Sequence, residues 1–269
     1  MVIDFHTHVF PDKIAEKTIK YLAEKCNGPA YTDGTVDGLL AQMEKADCDI
    51  AVALPVVTKP SQFDSINNFA AELNEKFRMT NSGVIAFGGI HPLCEDIGGK
   101  MKYLKQRGFI GVKIHPDFQD EYIDHEGYIA ILKAAKDLDM AVVTHSGMDD
   151  GFPNEPEKCP VELVKKVIDK VGHSKFILGH YGGYKRWELV LDSLAGLDVY
   201  FDTALTFSKI KPDLFKKILD KHGADRVLFA TDCPWSDIEA DKNTFYSYGM
   251  DKETQDKILY KNALKLLNL

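Results

Sequence analysis

The sequence contains no apolar run approaching the roughly 20 residues that a membrane-spanning helix needs. It has no basic excess either: 33 Lys and Arg against 41 Asp and Glu leave a net charge of −8. Phosphate binding needs a basic footprint, so nucleic acid is not expected as a partner. There is no CxxC pair, and the five cysteines (Cys26, Cys48, Cys94, Cys159, Cys233) are odd in number and scattered. That pattern fits reduced thiols rather than a disulfide framework. The N-terminus shows no basic, apolar leader of the secretory kind, and no low-complexity linker or compositional break divides the chain. These absences predict one soluble, cytoplasmic domain over residues 1–269 with neither a membrane nor a nucleic-acid partner.

What is present is a regular alternation. Eight short runs rich in Val, Ile and Phe recur at 2–5, 48–54, 84–90, 109–114, 140–145, 175–180, 198–203 and 226–231. Each is continuous rather than alternating, as a parallel strand buried on both faces must be. Amphipathic segments such as 12–26, 35–46, 161–172 and 212–223 lie between them, with apolar residues at three- and four-residue spacing and Gly at several ends. No GxGxxG or P-loop follows the first run, which weakens a doubly wound nucleotide-binding sheet. Eight strands with intervening helices in this length predict an α/β fold, a (β/α)₈ TIM barrel, with its active site at the C-terminal ends of the strands.

The strand ends carry the chemistry. Six of the nine histidines fall there: His6, His8, His91, His115, His145 and His180. In "MVIDFHTHVFPD" the period of a strand puts Asp4, His6 and His8 on one face and Ile3 and Phe5 on the face toward the helices. Two imidazoles at i and i+2 reach one ion, His145 arrives from across the barrel, and Asp232 of "LFATDCPW" adds a hard anionic oxygen. Three imidazoles and one carboxylate suit one divalent metal, Zn²⁺ first, with Mn, Fe or Co allowed by the same ligand logic. An isolated HxH is weak evidence, since histidines ending apolar strands commonly serve as hydrogen-bonded structural groups. The convergence of strands one, five and eight is what makes the ligand set specific.

These residues resemble the amidohydrolase superfamily of metal-dependent barrels, in particular the amidohydrolase 2 branch that contains aminocarboxymuconate semialdehyde decarboxylase. The likeness runs through "IDFHTHVFP", "GFIGVKIHP", "THSG", "GHYGG" and "LFATDCPW", nearly the whole chain. It implies metal ligation by His6, His8, His145 and Asp232, with His180 and Asp232 as catalytic residues. Because the family holds hydrolases, lactonases and nonoxidative decarboxylases, two reactions stay open. The first is hydrolysis of a small polar or carboxylate-bearing molecule by a metal-activated water, with Asp232 taking the proton. The alternative is nonoxidative decarboxylation of an aromatic or unsaturated acid. A more distant reading is a barrel that binds metal without catalysis. A homodimer is compatible with the resemblance.

Lys113 reads in two ways. In the binuclear branch of the family a strand-four lysine is carboxylated and bridges two metals; motif context favours one metal here, with Lys113 an interior lysine paired to an acid such as Asp4. Asp4 is otherwise expected to orient a ligating histidine ring. His91, His115, Lys113, Arg186 and Trp235 are candidates for contacting a small-molecule substrate. Tyr181, Tyr184, Lys185 and Trp187 form a further expected wall, or else pack beneath it. Segments 115–127, 146–160 and 232–243 are expected to cover the site.

Overall fold

The computed structural model describes residues 1–77 and 83–269. Its strands are β1 (Ile3–Thr7), β2 (Ile50–Ala53), β3 (Gly83–Ala86), β4 (Gly88–Gly89), β5 (Gly111–Ile114), β6 (Ala141–Thr144), β7 (Phe176–Leu178), β8 (Tyr200–Asp202) and β9 (Val227–Leu228). All of their pairings are parallel, in two ladders, β1-β2-β3 and β4 through β9. β3 and β4 are two halves of a single barrel position interrupted at Phe87. The opposite seam is closed by backbone bonds from Phe5 to Phe229 (2.9 Å), Asp232 to His6 (2.8 Å) and His8 to Cys233 (2.7 Å). The chain is therefore an eight-position TIM barrel: seven of the eight expected runs hold one strand each, and 84–90 holds β3 and β4.

The interruption at Phe87 would leave backbone groups unpaired. Two asparagines on the helix Phe63–Phe77 take their place. Asn74 bonds both N–H and C=O of Ala86, and Asn67 bonds both of Gly89 as well as the Phe63 carbonyl. A side-chain amide has the same donor and acceptor as a peptide unit, so it can substitute for a strand edge. Asn67→Ala is expected to destabilise the fold by about 2–5 kcal/mol, since each buried group left unsatisfied costs about 1–3 kcal/mol. Urea denaturation checks this; a variant within about 0.5 kcal/mol of the parent would show that water replaces the amide at no cost.

Two apolar layers surround the strands. The outer layer packs Val112, Ile114, Val142 and Leu178 against helix residues such as Leu39, Leu104, Ile131 and Val164. The inner layer contains Ile3, Phe5, Val52, Phe87, Val143, Ile177 and Leu228, and is continuous with Ala263, Leu266 and Leu267 of the last helix. Ile3 and Phe5 thus face the barrel interior, contrary to the expectation that they face the helices. The reason is local. The register of β1 against β2 shifts between Asp4 and Thr7, and such an irregularity breaks the period of two. Phe5 and His6, adjacent in sequence, both turn inward.

The helices Asp12–Cys26, Val36–Lys45, Val161–Val171 and Pro212–His222 match the expected segments to within a residue or so at each end. Of the segments expected to cover the site, 115–127 contains a short helix, Pro116–Gln119, and 232–243 runs into the helix Ile238–Ser247. Among the described residues no helix is long and apolar enough to cross a membrane.

Candidate active site

Strand β1 delivers His6 and His8, and the segment just past β9 delivers Asp232. Both histidines approach the same carboxylate oxygen: His8 Nε2 lies 3.0 Å and His6 Nε2 3.4 Å from Asp232 Oδ1. The remaining ring nitrogens are already committed. His6 Nδ1 is 2.8 Å from Asp202 Oδ2, and His8 Nδ1 is 2.9 Å from the Leu54 carbonyl. Both acceptors lack hydrogens, so both rings carry their proton on Nδ1 and present a lone pair from Nε2. Asp232 Oδ1 is buried and accepts no hydrogen bond. Lone pairs of two imidazoles and one carboxylate oxygen lie within 4.8 Å of one another, that of His6 also 2.9 Å from Lys113 Nζ. Such a donor set fits a divalent metal.

The Asp232 carboxylate is stabilised when positive charge stands at the two rings, from a proton or from a bound cation. Burial pushes the Asp232 carboxyl up, but the His6 and His8 imidazoles more than offset it and hold it well below the usual carboxylate range. Asp202 behaves alike: burial opposes its charge, and His6 restores it. Asp202 also accepts the backbone N–H of His180 (2.9 Å) and of Ala204 (3.1 Å) on its other oxygen. One fully buried carboxylate therefore fixes the His6 ring and the turn that carries His180. The His6 ring, which Asp4 was expected to orient, is instead bonded by Asp202. Asp4 instead accepts from the Thr231 hydroxyl (2.5 Å) and N–H (3.0 Å), clamping β1 to the segment after β9. It touches the His6 backbone but not its ring. Partners that orient a ligating ring typically contribute 10–100-fold to metal affinity, so Asp202→Asn is expected to weaken metal binding by about that factor. Competition against a chelator of known affinity measures it; unchanged affinity would leave Asp202 a purely structural group.

Lys113, on β5, is fully buried, and its Nζ lies 2.9 Å from His6 Nε2. Its partner is thus an imidazole lone pair rather than Asp4. Burial pulls its ammonium down to about 8, with Asp202 and Asp232 opposing the shift.

His180 lies just past β7 in left-handed backbone (φ 59°), as do Tyr181 (φ 58°) and, past β9, Asp232 (φ 69°). Non-glycine residues occupy that region at a cost. Here the turn is held by Asp202 on the His180 N–H and by Trp187, whose Nε1 donates to the His180 carbonyl at 3.0 Å. The His180 ring bonds the Ala204 carbonyl through Nδ1 (3.1 Å) and sits with its centroid 5.4 Å from that of His6 and 4.6 Å from that of His145. Burial, reinforced by His145, pulls its imidazole down to about 3, so the ring is neutral at physiological pH.

His145 does not join the His6, His8 and Asp232 group. Its Nε2 bonds the Met148 carbonyl at 2.8 Å, and its ring stacks on His115 with centroids 4.5 Å apart. One ring nitrogen of each of these histidines and a carboxylate oxygen of Asp149 lie within 4.8 Å of one another. His91 is buried beside the Gln119–Glu121 turn, with its Nδ1 accepting from Leu93. Arg186 is paired with Glu157, and Trp235 is half-buried with its backbone N–H on the Asp232 carbonyl. Of the expected wall, Tyr181 is a core residue stacked on Phe215, whereas Tyr184 and Lys185 tether Asp150. Gln119 is a residue that sequence reasoning passed over. Its amide binds the His115 N–H, the Tyr128 hydroxyl and the carbonyls of Val57 and Ile90, joining three strand ends. Its spacing of four from His115, across a Pro-led turn, was the available signal.

Similarity to known proteins extends over the whole chain. The amidohydrolase family profile matches residues 3–269. No curated protein matches the sequence. Among solved structures, 2,6-dihydroxybenzoate decarboxylase from Rhizobium is similar at a TM-score of 0.73 and 17% identity, covering 99% of this chain and 98% of that one. A 5-carboxyvanillate decarboxylase from Novosphingobium aromaticivorans, with bound manganese and a nitrobenzoic acid, is similar at 0.76 and 13% identity, covering 100% and 97%. A TIM-barrel protein from Bordetella bronchiseptica reaches 0.77 at 13% identity, covering 99% and 98%.

Proposed function

Because the chain belongs to the amidohydrolase family, we propose that it is a metal-dependent nonoxidative decarboxylase of a hydroxyaromatic carboxylic acid. The hydrolytic reading uses the same residues but draws less support. The similar solved structures include decarboxylases of hydroxyaromatic acids, aligned over nearly their full length. The observation in this chain that carries the reading is Lys113. A buried ammonium needs an anionic partner, and the contact it makes is to an imidazole. Asp202 and Asp232 act on it from a distance, and a substrate carboxylate would be the anion in direct contact.

His6, His8 and Asp232 would hold the ion, manganese or zinc. When bound, it supplies positive charge that anchors and polarises substrate oxygens. The protein's own groups do the rest. His180, protonated on Nδ1 by its bond to Ala204, presents a basic Nε2. It takes the proton of the substrate hydroxyl and returns it to the ring carbon bearing the carboxylate. The C–C bond then breaks, its electron pair returns to the ring, CO₂ leaves, and the phenolate is reprotonated by solvent. Burial of His180 and Lys113 keeps bulk water from both groups.

The test is incubation of manganese-loaded protein with 2,6-dihydroxybenzoate, 5-carboxyvanillate and related acids in D₂O. Release of CO₂ with one deuterium at the vacated ring carbon is the expected result. Turnover of lactones or amides with ¹⁸O uptake from labelled water, and none of the acids, would replace decarboxylation by hydrolysis.

A further inference from the structure

The reacting groups lie under cover. His6, Lys113, His180 and Asp232 are at most 6% exposed, so a ligand larger than water reaches them only when something above them moves. One contact spans the mouth. The helix Asp12–Cys26 follows β1, and residues 146–160 follow β6, the fifth of the eight barrel positions and the one opposite β1. The two segments nevertheless touch. Lys25 Nζ stands 3.6 Å from the centroid of the Phe152 ring and 5.8 Å from that of Phe118. A Cβ placed on Gly151 would lie 3.4 Å from Cys26 Sγ and 3.4 Å from Lys25 Cε. The Cys26 thiol and the Tyr184 hydroxyl both feel the charges of Asp149, Asp150 and Asp232, which sets this contact beside the ligand end of the site.

The bridging segment is organised as a closed loop. Its neck is the backbone bond from Gly147 to the Cys159 carbonyl (2.9 Å), and a loop whose ends meet packs as a compact unit. On the side of β7 it is tied by hydrogen bonds: Met148 N–H to the Tyr184 carbonyl (3.1 Å), the Tyr184 hydroxyl to Asp150 (3.0 Å) and Arg186 Nε to Glu157 (2.9 Å). Across the mouth its tip rests on Lys25 through the face of Phe152, and a cation–π contact is modest in strength. Phe152 also meets Phe118 edge-on at 5.0 Å, and Phe118 meets His115 edge-on at 4.8 Å. Firm ties on one side and a weak one on the other are what a lid needs, since it must open without unfolding.

The geometry points to a gate: the loop tip 149–152, latched to Lys25 by Phe152, closes the barrel mouth, and release of that latch admits metal ion and substrate. The ion is held by other residues, so the latch sets the rates of entry and exit and leaves affinity alone. Hydrolysis and decarboxylation need the gate equally. It depends on the buried metal site and not on which reaction occurs there.

Metal exchange tests it. Manganese-loaded protein is mixed with excess chelator and the rate of metal loss is followed; uptake by the metal-free protein is timed separately. Gly151→Cys places a second sulfur beside Cys26, within reach of a disulfide, and diamide takes up the two thiol hydrogens as the bond forms. The oxidised variant is expected to lose manganese at least about tenfold more slowly than the same protein reduced, because the bond fixes the tip in place. Gly151→Cys/Cys26→Ser, treated alike, is expected to show no slowing. Phe152→Ala is expected to speed uptake and loss alike by at least about threefold, the loss of one such contact, with affinity unchanged. A disulfide confirmed by mass, with the loss rate unaltered, overturns the gate, as does a disulfide that fails to form. Slowing that persists in the control, or a Phe152→Ala protein that binds more weakly with uptake unchanged, overturns it too. A wild-type chain that takes up no manganese removes the metal site itself, and the gate with it.

Discussion

Asp232→Asn is expected to remove one metal ion per chain and to lower turnover by at least about 10³-fold. The amide keeps the shape of the carboxylate and loses its charge, so the barrel is expected to fold unchanged. What changes is the donor set. Asp232 Oδ1 lies at 3.0 and 3.4 Å from the lone pairs of His8 and His6, and two neutral imidazoles alone bind a divalent ion far more weakly than two imidazoles with an anion. Loss of a partner that merely orients a ligand costs 10–100-fold in affinity, so loss of the anionic ligand itself is expected to exceed about 100-fold. The oxygen offers a second check. In the metal-free protein it lies 3.0 Å from His8 Nε2, so the stability of the metal-free variant reads the pairing of carboxylate and imidazole apart from ligation. Elemental analysis, turnover and thermal unfolding of the metal-free variant read these effects separately. A variant with wild-type metal content and turnover would remove Asp232 from the site.

The eight strand positions are legible in the sequence because a parallel strand covered on both faces is an uninterrupted apolar run, and eight such runs separated by amphipathic segments admit few architectures. The strand-end histidines are legible for the same reason: a polar residue ending an apolar run stands out. What the pattern could not show is where the backbone departs from its period. The shift between Asp4 and Thr7 turns Phe5 inward beside His6. The left-handed residues His180, Tyr181 and Asp232 end their strands early and re-aim the side chains. Neither leaves a compositional trace. Long-range pairing is equally hidden. Asp202 lies 196 residues from the His6 ring that it orients, whereas Asp4, two residues away and the natural local guess, binds Thr231 instead. Asp117 and Asp149 read as ordinary loop acids until the fold sets them beside His145.

His180→Ala is expected to lower turnover by about 10²–10⁴-fold, the usual contribution of a positioned acid–base group, while leaving metal content unchanged. The two readouts separate proton transfer from ligation. The ring is held from three sides: Asp202 on its own N–H, Trp187 on its carbonyl and Ala204 on Nδ1. None of these bonds uses Nε2, so the conformation is set without spending the basic nitrogen. Its neutrality at physiological pH follows from burial beside His145, and a neutral imidazole can take a proton where an imidazolium cannot. Since two of the three bonds reach the backbone of His180, the turn is expected to survive loss of the ring, and metal binding with it. His180→Gln restores a polar side chain without a comparable base. If glutamine recovers most of the activity, His180 acts by hydrogen bonding and positioning. If glutamine is as impaired as alanine, the lost function is proton transfer. Loss of metal in either variant would instead make His180 a ligand and shift the ligand set from the segment after β9 toward the one after β7.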